Sequence, residues 1–68
     1  MTGKYATLED HVLAIIAKTP GNTMEQIIAN ASNGYRREWR DTVDELRQAG
    51  KLTCTWDEIG YTHYTIAK

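Results

Sequence analysis

At Gly50 the residue pattern of this chain changes period. Before it, apolar residues recur every three or four positions, the spacing of amphipathic helices. After it, Thr, Tyr, Trp and Ile dominate around a short polar turn, a β-type pattern. A chain of 68 residues has room for one hydrophobic core, because typical domains run about 100–150 residues. Both halves must share that core, so the expected class is α+β, with residues 1–68 forming a single domain.

The helical half divides at its turn residues. Leu8, Val12, Ile15 and Ile16 form one stripe, Thr7 with Asp10 opens it, and Pro20-Gly21-Asn22 stops it near Lys18. This predicts a first helix over about 7–18. Thr23 with Gln26 makes a second capping box and predicts a helix over about 23–30, with Met24, Ile27, Ile28 and Ala31 inward. Ala31-Ser32-Asn33-Gly34 reads as a turn. A third helix over about 35–49 carries Tyr35, Trp39, Val43 and Leu46 as its apolar positions, and Gly50 supplies the left-handed residue that ends it.

The β half reads as a hairpin of strands 51–56 and 61–67. Pairing Asp57 with Tyr61 places Leu52 opposite Ile66, Cys54 opposite Tyr64 and Trp56 opposite Thr62, all on one face. That register leaves Glu58-Ile59-Gly60 as a type I turn closed by a glycine bulge. A one-residue slip would mix Leu52 and Cys54 with His63 and Thr65, so pattern and turn chemistry agree. The expected core is Leu8, Val12, Ile15, Ile16, Ile27, Ile28, Trp39, Val43, Leu46, Leu52, Cys54, Tyr64 and Ile66, with Trp56 a further core candidate. The other hairpin face, Thr53, Thr55, Tyr61, His63 and Thr65, is polar and suited to solvent.

Composition narrows the function. Eight Lys and Arg against nine Asp and Glu give a net charge of −1, which disfavours a protein that coats nucleic acid through summed phosphate neutralisation. The longest apolar run, Val12 to Ala17, is six residues, against about 20 for a membrane span. Met1 to Tyr5 lacks a signal-peptide hydrophobic region, so a cytoplasmic location is expected. The single Cys54 excludes an internal disulfide and any multi-cysteine zinc site, and is expected as a small buried hydrophobe. Cys54 is expected to face the core and His63 the solvent, so the two do not make one site, and His11 lies on the edge of the first helix. A domain this small leaves little interior for an enclosed pocket, so a binding module without cofactor or metal is expected rather than an enzyme.

From Met24 to Tyr64 the sequence resembles the winged helix-turn-helix superfamily of DNA-binding domains. The resemblance is carried by Met24-Glu25-Gln26-Ile27-Ile28-Ala29, then Trp39, Val43 and Leu46, then the junction Ala49-Gly50-Lys51-Leu52. It implies that the third helix lies in the DNA major groove and that the hairpin, as the wing, touches backbone or minor groove. The spacing from Arg36-Arg37-Glu38-Trp39 to Gly50-Lys51-Leu52 also matches domains specialised for left-handed DNA. Those carry an asparagine and a tyrosine where this chain has Arg40 and Asp44, so that activity is not expected.

At about 100° per residue, with the core direction through Trp39, Arg36, Arg40 and Arg47 fall on one flank of the third helix and Arg37 near the outward pole. Glu38, Asp41 and Glu45 take the other flank; Asp44 and Gln48 face outward. Arginine's planar fork can donate two hydrogen bonds to guanine O6 and N7, and Ser32, Asn33 and the helix start add phosphate donors. The expected double-stranded-DNA-binding residues are Ser32, Asn33, Tyr35, Arg36, Arg37, Arg40, Asp44, Arg47 and Lys51, in a small transcriptional regulator. The same spacing allows ordinary surface pairs, Arg40 with Asp44 and Arg37 with Asp41. Asp57 and Glu58 at the wing tip oppose DNA, unless Asp57 merely starts the turn. The alternative is a protein-interaction module docking a partner through the divided charge of the third helix and the acidic wing, with Ile59 as a contact. A single module buries only about 600–1,000 Å² on DNA, so a homodimer on two half-sites would help affinity, although no coiled-coil arm is present.

Overall fold

The computed structural model describes residues 7–32 and 34–67. The expected site residue Asn33 lies outside them. The chain is α+β: α1 (Leu8–Lys18), β1 (Asn22–Thr23), α2 (Met24–Ile28), α3 (Arg36–Gln48), β2 (Leu52–Trp56) and β3 (Thr62–Ile66). Three helices pack on a three-stranded antiparallel sheet of order β1-β3-β2.

Local chemistry sets the helix ends. Thr7 caps α1, its hydroxyl accepting from the Asp10 N–H at 3.1 Å. At α2 the Thr23 hydroxyl accepts from the Gln26 N–H, and the Gln26 side chain accepts from the Thr23 N–H at 2.9 Å, which satisfies two orphan donors reciprocally. This helix stops at Ile28, two residues short of the expected end. The Asn30 amide turns back and donates to the carbonyls of Gln26 and Ile27, occupying the acceptors that would continue it. Tyr35 is the cap residue before α3 rather than part of its inner stripe, and is 58% exposed. At the far end Gly50, at φ +80°, closes α3: its N–H donates to Arg47 and that of Lys51 to Leu46, the paired bonds of a Schellman ending.

The hairpin has the expected register, Leu52 opposite Ile66, Cys54 opposite Tyr64 and Trp56 opposite Thr62. Gly60 sits at φ +106°, where the three-residue turn needs a left-handed residue. β1 was not expected. It is two residues long, too short to show a period, and it forms where the extended cap of α2 meets the outer edge of β3, pairing Asn22 with Tyr64 and Thr23 with His63.

Val12, Ile16, Ile27, Ile28, Trp39, Val43, Leu46, Leu52 and Tyr64 are the buried core, with Leu8, Ile15, Cys54 and Ile66 half-buried against it. Trp56 corrects the expectation of a core tryptophan: it is 67% exposed. The register places it on the inner face, but it stands one step nearer the turn than the Cys54–Tyr64 pair, beyond the covered part of the sheet. Among the described residues Thr42 is the buried polar one, its hydroxyl donating to the Glu38 carbonyl at 2.8 Å.

His63 lies on the outer hairpin face, as expected, but is half-buried and engaged at both ring nitrogens. Its Nδ1 lies 2.7 Å from the Gly21 carbonyl and its Nε2 2.9 Å from Asp57 Oδ2. Both partners are acceptors, so both ring nitrogens must carry protons to make both bonds. Asp57 Oδ1 meanwhile accepts from the N–H groups of Ile59, Gly60 and Tyr61. In its protonated form the His63 ring thus ties the hairpin turn to the α1–β1 connection.

Two predictions follow from this packing. Leu46 is 1% exposed, so Leu46→Ala should cost about 2–5 kcal/mol in a denaturant melt; a loss below about 1 kcal/mol would contradict its place in the core. The second concerns pH. The Asp57 hydrogen bond, then the Gly21 carbonyl, raise His63 from its ordinary 6.5. The His63 hydrogen bond first, then the turn N–H groups, lower Asp57 from 3.8. The histidine contribution is complete below 6.5 and is lost as pH rises through the raised value. The aspartate contribution is complete above 3.8 and is lost as pH falls through the lowered value. The melting temperature should therefore be highest between pH 3.8 and 6.5 and fall on the alkaline side. His63→Gln should flatten that alkaline limb; an unchanged limb would remove His63 from the account.

Candidate nucleic-acid interface

Eight of the thirteen residues of α3 are charged, and burial of Trp39, Thr42, Val43 and Leu46 fixes which way they point. With that stripe inward, Arg36, Arg37 and Arg40 share the exposed amino-terminal end of the helix. They line a shallow groove of about 330 Å³ with Glu25 and Ile28 of α2. The turn before α3 is held by the Tyr35 N–H donating to the Ser32 carbonyl at 2.9 Å, which keeps Ser32 and Tyr35 beside this end. Among the described residues no side chain caps the helix. Its leading N–H groups accordingly add positive potential where the arginines are.

The expected pairs within the helix do not form. Arg40 reaches across to Glu25 at 3.6 Å, with both side chains more than half exposed, an arrangement worth at most about 1 kcal/mol. Among the described residues, Arg36, Arg37 and Arg47 make no ion pair within 4.0 Å. Lys51 is engaged by Glu9 of α1 at 3.8 Å, so it does not join the arginine cluster.

Arg47 stands apart from Arg36 as well. Eleven residues at about 1.5 Å each separate them by about 16 Å along the axis. Arg47 and Asp44 instead face the hairpin, where they line a second cleft of about 240 Å³ with Cys54, Trp56, Thr62 and Tyr64. Burial pushes the Tyr64 phenol up, Cys54 and Asp44 add to this, and Arg47 and Arg40 oppose it. Its hydroxyl makes no hydrogen bond among the described residues. The exposed face of α3 therefore borders two separate depressions: a basic groove against α2 and a mixed, aromatic-walled cleft against the hairpin.

Three contributors were not identified from sequence. Alternation predicts Trp56 as core, Glu25 lies on another helix and carries no pairing signal toward Arg40, and His63 is expected on the solvent-facing side of the hairpin. Only Trp56 gave a signal in the sequence, its position as the last strand residue before the turn.

At the hairpin tip Asp57 is consumed by His63 and three N–H groups, while Ile59 is 82% exposed. Among the described residues, no group of three or more His, Cys, Asp or Glu is placed to hold a metal ion, and no helix is long and apolar enough to cross a membrane. Compared with models of known protein families, with curated proteins and with solved structures, the chain matches none.

Proposed function

We propose that this chain is a winged helix-turn-helix domain that binds double-stranded DNA sequence-specifically, as a small cytoplasmic transcriptional regulator. The amino-terminal half of α3 enters the major groove, and the β2–β3 hairpin is the wing. No catalysis or cofactor belongs to this reading. The element order α1-β1-α2-α3-β2-β3 and the strand order β1-β3-β2 support it.

The observation that carries the proposal is the arginine end of α3. Three guanidinium groups lie on one exposed surface, and the ion pair they make is the weak, solvent-exposed one between Arg40 and Glu25. Arg36 and Arg37 keep their forks for base edges and phosphates. The wing tip is also less hostile to phosphate than its sequence suggests. The Asp57 carboxylate is occupied by the His63 ring and three N–H groups, so Glu58 is the freer carboxylate of the two at that tip.

A protein-docking module is the second reading, favoured by Ile59, which stands 82% exposed at that tip. On that reading the acidic edge of α3, Glu38, Asp41 and Glu45, and the wing tip meet a basic, apolar-centred partner surface.

Arg36→Ala and Arg40→Ala test the DNA reading. Each should leave the melting temperature within a degree or two, because both side chains are exposed. Each should weaken specific duplex binding by about 1–3 kcal/mol if it reads a base, or lower the salt slope by about one if it holds a phosphate. Unchanged affinity and slope in both variants would remove α3 as the reading helix.

A further inference from the structure

The cleft between α3 and the hairpin holds features that the groove-binding reading does not use. Trp56 is 67% exposed, the most exposed aromatic residue described. Tyr64 is the reverse: it is 6% exposed, lines the same cleft, and leaves its hydroxyl without a hydrogen bond among the described residues. Asp44 and Arg47, one turn apart on α3, place a carboxylate and a guanidinium at the same opening.

The cleft measures about 240 Å³, below the roughly 300–1,000 Å³ of sites that enclose a whole small ligand. It suits one flat ring system. Its walls offer a stacking face, two carboxylate acceptors, a donor fork and a phenol hydroxyl. Unstacked bases are read in this way, by stacking on an aromatic side chain and by hydrogen bonds to the pairing edge. Guanine fits the donor and acceptor order best. Its N1–H and N2–H donate side by side to one carboxylate, and O6 accepts from a guanidinium. Cytosine, adenine and thymine do not present two adjacent donors to Asp44.

We propose that the Trp56–Asp44–Arg47–Tyr64 cleft is a subsite for a single unpaired guanine of the bound nucleic acid, at a duplex end or an adjoining unpaired position. Trp56 stacks on the base, Asp44 accepts from N1–H and N2–H, Arg47 donates to O6, and Tyr64 forms the floor of the cleft. The choice of a nucleic acid rests on the DNA reading above; the choice of base rests on the cleft.

The test compares fluorescently labelled duplexes that are blunt or carry one unpaired 3′ nucleotide, each of the four bases in turn. The guanine overhang should bind about tenfold tighter than the blunt duplex, the scale of one base–aromatic stack. Trp56→Ala should erase the difference between the guanine-overhang and blunt duplexes without lowering the melting temperature, whereas Trp56→Phe should keep most of that difference. Asp44→Asn should remove the preference for guanine over the other overhangs. Equal affinity for all five ends, or a Trp56→Ala loss that is the same for blunt and overhanging duplex, would overturn the proposal.

Should neither duplex bind, the DNA reading fails and the cleft is tested alone by intrinsic fluorescence. Trp39 is 4% exposed, so the quenchable indole is Trp56. Stronger quenching by the single-stranded pentanucleotide TTGTT than by TTTTT, lost in Asp44→Asn, would support the subsite. Equal quenching by both, or none, would overturn it.

Discussion

Everything this domain presents to its surroundings depends on one narrow apolar stripe. Trp39, Val43 and Leu46, with Thr42 beside them, are the buried positions of α3. An isolated thirteen-residue helix is marginal in water, and eight charges do nothing to change that. Packing against α1, α2 and the sheet supplies the stability. Each fully buried aliphatic side chain contributes about 1.5–3 kcal/mol. Because the stripe is narrow, it also sets the helix rotation, and with it the positions of every charge. The arginine end and the acidic edge are segregated because the core admits only one orientation.

β3 plays the corresponding part for the other half. It is the central strand, with β1 on one side and β2 on the other. It carries Tyr64 into the core and His63 between the hairpin turn and Gly21. Two consecutive residues thus do different work. Tyr64 anchors the hairpin to the helices, and His63 braces its tip. The hairpin is therefore held at a defined position beside α3, which is the condition for the two to act as one surface.

The fold was legible where a pattern had a period or a turn had a required residue. The alternation of Leu52 and Cys54 against Tyr64 and Ile66, together with Gly60, was enough to give the hairpin register. The four-residue spacing of Trp39 and Val43, with Gly50 beyond them, was enough to give α3. The misreadings concern what a one-dimensional pattern does not contain. Alternation tells which face Trp56 takes, but not where the covered part of the sheet ends. A two-residue strand such as Asn22-Thr23 has no period. The partner of His63 is a backbone carbonyl 42 positions away, and every residue has a carbonyl. At the candidate site the helical wheel grouped Arg36 and Arg40 correctly. It could not see Glu25 on the neighbouring helix, which replaces the partner Arg40 was expected to find one turn along its own.

The central claim is that the amino-terminal end of α3 meets DNA, and an amide chemical-shift titration with a duplex of mixed sequence tests it most directly. Recording it at about 50 mM and about 200 mM salt spans the range over which phosphate contacts lose most of their affinity. The account expects shifts concentrated at Gly34–Arg40 that shrink at the higher salt. Shifts absent from α3 at both salts, or confined to the wing tip at Asp57–Ile59, would contradict it and make the protein-docking reading the better one.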